Sequence, residues 1–125
     1  MRLVTYRASI VDAARLGVIQ GEDVVDVQRL AAAAGETLPD TMLGLIDLGP
    51  QGLAALKRLL AAADGRLAGI AVPLANVQLL APIPRPRKNI FGIGLNYVEH
   101  VAESSRTLDT AKDLPKQPVI FSKPP

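Results

Sequence analysis

The sequence predicts an α+β fold. A small N-terminal domain of mixed helix and strand covers residues 1–75, an extended proline-rich seam covers 76–88, and the first strands of a β-rich second domain cover 89–125. Three observations carry this. Short β-biased runs around a glycine turn fill most of the first 27 residues, an amphipathic helical pattern spans 51–63, and a strand, two glycines and a second helical pattern follow the prolines.

Residues 2–8 are β-biased, and residues 15–19 and 24–27 read as two short strands flanking Gln20, Gly21, Glu22 and Asp23. Residues 28–34 are alanine-rich with Gly35 just beyond, the pattern of a short helix that ends on a glycine. A second helix is expected to begin near Asp40. In residues 51–63, Leu53, Leu56, Leu59, Leu60 and Ala63 keep the three-and-four spacing of a helix, Lys57 and Arg58 fall outside the stripe, and Gly65 follows. Residues 76–80 are β-like, and Pro82, Pro84 and Pro86 then fix φ and remove backbone donors, so this stretch is expected to run extended.

Composition narrows the functional classes. The chain has 125 residues, no Cys and one His, which excludes disulfides and zinc-thiolate sites. Its longest apolar stretch, residues 67–75, contains Gly69 and Pro73 and is far shorter than a bilayer span. No membrane association is expected, and without a signal-peptide pattern the expected location is the cytoplasm. The last 45 residues hold seven basic and four acidic side chains, a balance suited to a small anionic ligand. It is too dilute for a nucleic-acid arm, and Tyr6, Phe91, Tyr97 and Phe121 are too few for base stacking.

Chemistry-bearing residues gather after residue 89. Residues 89–94 read as a strand with Gly92 and Gly94 at its exit, where a backbone without side chains can approach a ligand. Residues 95–103 have helical spacing. With Asn96 at or near the helix start, His100 lies one turn on and Glu103 three residues further, so all three share a face. A carboxylate beside an imidazole raises its basicity and selects its tautomer, as a general base near neutral pH requires. The same spacing also suits a simple helix-stabilising pair. Tyr97 stands where a dinucleotide fingerprint needs its third glycine, which argues against a nicotinamide cofactor. Lys123 follows the β-like residues 119–121 and reads as a solvated lysine. Residues 104–117, with Asp109, Lys112, Asp113 and Lys116, read as a polar connector of the kind that closes over sites.

The run from Ile83 to Glu103 resembles the entry to the catalytic domain of the fumarylacetoacetate hydrolase family. That family's motif, glycine, any residue, Asn-Tyr, two residues, His, two residues, Glu, is met by Gly94, Asn96, Tyr97, His100 and Glu103, and residues 118–124 resemble its next strand. The resemblance implies a metal-dependent enzyme, with Mg2+ or Mn2+, that hydrolyses a carbon–carbon bond in 2-oxo or enol dicarboxylic acids, decarboxylates them, or isomerises enol to ketone. Such acids arise in aromatic-compound or sugar-acid breakdown. It implies His100 as the general base, Glu103 as its assistant, Gly94, Asn96 and Tyr97 at the substrate, and a homodimer in the full-length form.

The family's metal ligands, a Glu-any-Glu pair and an Asp, are expected beyond residue 125. On this reading the chain is the N-terminal portion of a longer enzyme, its β-rich domain truncated, with no metal ligands, no cofactor and little activity by itself. The alternative is a self-contained binding or oligomerisation module without catalysis, its Leu53, Leu56 and Leu60 stripe meeting a partner.

Overall fold

A computed structural model describes residues 1–107 and 115–124, and shows a mixed helix-and-strand chain in two compact units, Met1–Pro84 and Arg85–Pro125. The first unit is built on a five-stranded antiparallel sheet in the order β4-β3-β2-β1-β5. Its strands are β1 (Arg2–Arg7), β2 (Arg15–Gln20), β3 (Asp23–Asp26), β4 (Ala71–Pro73) and β5 (Gln78–Leu79). Gly21, at φ 59°, makes the tight connection from β2 to β3.

Strand alternation sorts the side chains. Leu16, Val18 and Val25 share one face and pack with Val27, Leu30, Leu38, Leu45, Leu56 and Leu59 into the core. Val27 and Leu30 come from α1 (Val27–Ala33), Leu45, Leu56 and Leu59 from α2 (Met42–Ala63), and Leu38 from the segment between the two helices. On the opposite face a Cβ at Gly17 would lie 2.4 Å from Val24 and 3.0 Å from the Tyr6 ring, so only glycine lets those two buried side chains close over the sheet.

The expected helices at 28–34 and 51–63 are present, each shifted or extended by local chemistry. Asp26 caps α1 by accepting from the Arg29 N–H at 2.8 Å. The helix expected near Asp40 runs into the one at 51–63: α2 continues from Met42 to Ala63, broken only at Gly49 (φ 59°, ψ −146°), after which Pro50 opens its second half. Leu56 and Leu59 are buried, while Leu53 stays partly exposed. The sequence reading missed β4, because its three residues sit inside an apolar run with no alternation. The proline segment also differs from the expected extended run. It bends at residues 82–85 and 87–88, since proline fixes φ and leaves ψ free, and the Thr5 hydroxyl donates to the Pro82 carbonyl at 2.6 Å.

The helix end at Asp64 is strained. This residue sits at φ 44° with its carboxylate at the negative end of the α2 dipole. Asp64→Gly is expected to raise the stability of the first unit by about 1 kcal/mol, by removing both penalties; a urea midpoint that falls in the variant would contradict this.

The buried Asp26 ties sheet to helix. Its carboxylate accepts from the Tyr6 hydroxyl at 2.7 Å, from both Nε and Nη2 of Arg15, and from the Arg29 N–H. Burial pushes this carboxyl upward, but the bonds from Arg15, Arg29 and Tyr6 outweigh it and hold it below its ordinary 3.8. Burial, then the bond to Asp26, pushes the Tyr6 phenol up to about 12. Two pH limits follow from the signs. The contribution of Asp26 is complete above the ordinary carboxylate range and is lost as pH falls through its depressed value. That of Tyr6 is complete below its ordinary 10.0 and is lost as pH rises toward 12. Urea midpoints measured across pH are expected to fall at both ends; a flat acid limb would contradict the Asp26 assignment.

In the second unit, β6 (Ile90–Gly94) and β7 (Val119–Lys123) form an antiparallel ribbon, with α3 (Val98–Thr107) in the chain between them. Gly92 faces Phe121 across the ribbon, and a Cβ there would come within 2.5 Å of the ring. Its glycine is thus needed for cross-strand packing, whereas the sequence suggested close approach to a ligand.

Candidate functional site

The strand–glycine–helix arrangement expected at residues 89–103 is formed. Gly94 ends β6, and Leu95 follows at φ 51°, a left-handed backbone that costs a residue with a Cβ about 1 kcal/mol or more. This turns the chain sharply before the helix. Tyr97 then caps α3 with its carbonyl, which accepts from the Val101 N–H at 3.2 Å. The helix starts at Val98, so Asn96 lies outside it, in the link from the strand. The expectation that Asn96 shares a helix face with His100 and Glu103 is corrected accordingly, and the left-handed Leu95 is the physical reason.

His100 and Glu103 both belong to α3, and their three-residue spacing puts the two positions on one face. Glu99 stands in the first turn, favourable to the helix dipole. Val101 is buried, whereas Asn96, Tyr97 and Glu103 are exposed.

A cavity of about 280 Å3 opens at the exit of β6, lined by Gly94, Leu95 and Asn96 and by Lys116 and Gln117 from the approach to β7. The structure therefore unites two of the expected substrate residues, Gly94 and Asn96, with two that sequence reading left on a connector. Tyr97 and Glu103 are not among the residues that line this cavity. The signal that finds Lys116 is strand pairing: Gly94 pairs with Val119, which brings the residues just before Val119 to the strand exit. Lys123 pairs with Ile90 at the other end of the ribbon, four residues or roughly 13 Å from the Gly94 pair. Of the connector charges, Asp109, Lys112 and Asp113 lie outside the described residues.

Among the described residues, no group of three His, Asp or Glu side chains is placed to hold a metal ion. The residues described therefore do not fit a divalent-metal centre. No described helix is long and apolar enough to cross a membrane.

The chain is similar to several known proteins. Fumarylacetoacetate hydrolase domain-containing protein 2 of Pongo abelii is 34% identical over 125 residues, covering 98% of this chain and 35% of that protein. The chain belongs to the fumarylacetoacetate hydrolase family. The human mitochondrial oxaloacetate tautomerase FAHD2A is 35% identical over 125 residues, covering 98% of this chain and 35% of the relative. Oxaloacetate tautomerase YisK of Bacillus subtilis is 32% identical over 113 residues, covering 86% of this chain and 36% of the relative. This family member thus spans about a third of the length of the relatives it matches, and those relatives are enzymes. A solved structure of maleylpyruvate hydrolase from Sphingobium sp. SYK-6, in complex with manganese (II) ion and pyruvate, is 29% identical, with a TM-score of 0.47 over 99% of this chain and 37% of that one. No family model matches the chain.

Proposed function

We propose that this chain is the base-bearing part of a fumarylacetoacetate hydrolase-type enzyme that interconverts the keto and enol forms of a small 2-oxo dicarboxylic acid. The observation that carries this reading is the motif from Gly94 to Glu103, set at a strand exit and on the helix that follows, in a chain whose matched relatives include oxaloacetate tautomerases. Carbon–carbon hydrolysis begins from a related oxo or enol acid with a base beside it, so the motif suits that outcome too. Tautomerisation is the reaction the named relatives favour.

In the proposed reaction His100, as neutral imidazole, removes a proton from the carbon next to the oxo group. The electrons of that C–H bond form the new C=C bond while the carbonyl π pair moves to oxygen. The imidazolium or water then delivers a proton to that oxygen, so no atom is gained or lost. Glu103 stabilises the imidazolium and favours its formation. Gly94, Asn96 and Tyr97 hold the substrate beside it. A divalent Mg2+ or Mn2+ supplies charge stabilisation to an enolate when it is bound in an enzyme of this kind, and its ligands are proposed to come from outside the described residues. Without those ligands the chain alone is proposed to be inactive. The full-length enzyme is proposed to be a cytoplasmic homodimer.

The test is a chimera in which this chain replaces the matched N-terminal third of the Bacillus subtilis tautomerase. A folded chimera, verified by a cooperative thermal transition, is expected to accelerate the loss of enol absorbance from oxaloacetate. A folded chimera that leaves that rate at its value in buffer would overturn the proposal.

A further inference from the structure

We propose that the cavity at the exit of β6 is a carboxylate-binding subsite in which Lys116 selects dianionic over monoanionic substrates. This rests on the oxo-acid reading above and adds to it a residue and a basis for specificity.

Four observations support the assignment. First, among the described residues the cavity has the lining an acceptor-only ligand needs: Lys116 is the one charged residue that lines it, Asn96 and Gln117 bring amide donors, and no described carboxylate lines it. Second, at about 280 Å3 it lies just below the range of drug-sized pockets and suits a small acid. Third, the backbone that carries the exposed Lys116 is restricted by its neighbours. The ladder pair of Gly94 with Val119 holds its segment against the strand exit, and Pro115 and Pro118 restrict the backbone on either side of it. An ammonium placed this way gives up less freedom on binding than one on a free loop. Fourth, the left-handed Leu95 turns the Asn96 link toward the same opening, and backbone strain held at a ligand site is a recurrent arrangement.

Charge and size together choose the ligand. A carboxylate accepts two or more hydrogen bonds and pairs with one ammonium, which this lining matches. A C4 2-oxo dicarboxylic acid carries two carboxylates, and the one bonded to the carbon that loses the proton is the group that distinguishes it from pyruvate-like monoacids. Lys116 is thus a binding and specificity residue, with no part in proton transfer.

The 125-residue chain, labelled with 15N, should be titrated with malonate, with malonamate, its monoanionic half-amide, and with malonamide, its neutral isostere. Malonamate is expected to bind about tenfold more weakly than malonate; equal affinity for the two would overturn the selectivity. Malonate is expected to shift the amides of Gly94, Asn96, Lys116 and Gln117 along one saturable curve, and malonamide to leave them in place. Lys116→Met is expected to weaken malonate about tenfold, and Lys116→Arg to restore most of it. The same spectra show whether each variant is folded.

Equal shifts with malonamide, shifts spread over the basic residues 85–88 instead, or unchanged affinity in Lys116→Met would each overturn the subsite. These readings involve no turnover, so they separate from the catalytic proposal. Saturable malonate binding in a chain whose chimera does not tautomerise oxaloacetate keeps the subsite and removes the catalytic reading. Tautomerisation with no malonate response does the reverse.

Discussion

Replacing His100 by Gln in the chimeric tautomerase is expected to lower kcat by about a hundredfold or more, with KM changed little. Gln keeps the size and polarity of the position, while its amide cannot take up a proton near neutral pH. General-base catalysis by a positioned side chain contributes roughly 100- to 10,000-fold, and the lower part of that range applies where solvent or another group substitutes. Two readouts separate this from simple loss of folding. The thermal transition should be preserved, because Gln keeps the size and polarity of the position. The acid limb of the pH–rate profile, where imidazole protonation removes the base, should disappear along with the rate. Glu103→Gln is expected to lose less, about tenfold, and to move that limb toward lower pH, since the imidazolium loses its stabilising charge. Full activity in a folded His100→Gln chimera would remove the general-base assignment.

Asp26→Asn is expected to destabilise the first unit by about 3 kcal/mol. The carboxylate is fully buried and accepts from Tyr6, Arg15 and the Arg29 amide at once. Asn keeps the helix-capping oxygen, but it turns an amide donor toward donors already in place and leaves the Arg15 guanidinium without a counter-charge. Removing one partner of a buried pair commonly costs about 3–5 kcal/mol. The lower end applies here because the Arg15 side chain keeps 31% of its exposure. For a unit of this size that corresponds to a melting temperature lower by roughly 12–24 °C, which calorimetry or far-UV circular dichroism measures. Tyr6→Phe, which removes one donor and leaves the ion pair, should cost about 1–2 kcal/mol. A loss below about 1 kcal/mol in Asp26→Asn would mean that the network is peripheral to stability.

Much of the first unit was legible in the chain because its elements carry local signals. Gly21 between two β-biased runs, Gly35 after an alanine-rich run, and the leucine spacing of residues 51–63 each correspond to an element near its expected place. The misses share one cause. β4 is three residues long and exists because β3 offers a free edge to pair with, a long-range condition with no local pattern, whereas β5 falls inside the β-like residues 76–80. The bond from the Thr5 hydroxyl to the Pro82 carbonyl likewise joins residues far apart in the chain and has no local pattern. Nor does any spacing rule announce the Asp26 network, because Tyr6, Arg15 and Asp26 meet only after β1, β2 and β3 come into register.

The same division holds at the candidate site. The sequence by itself determined the family, the histidine–glutamate spacing and the strand–helix setting, since these are properties of neighbouring residues and of a motif read in order. Only the tertiary structure decided that Asn96 leaves the helix, that Gly92 makes room for Phe121, and that Lys116 joins Gly94 and Asn96 around one cavity. Those outcomes depend on a left-handed residue and on the register between two strands 25 residues apart in the Gly94–Val119 pair. A backbone turn and a cross-strand pair are set by the lowest free energy of the whole unit, and local sequence preference is too weak to fix either one.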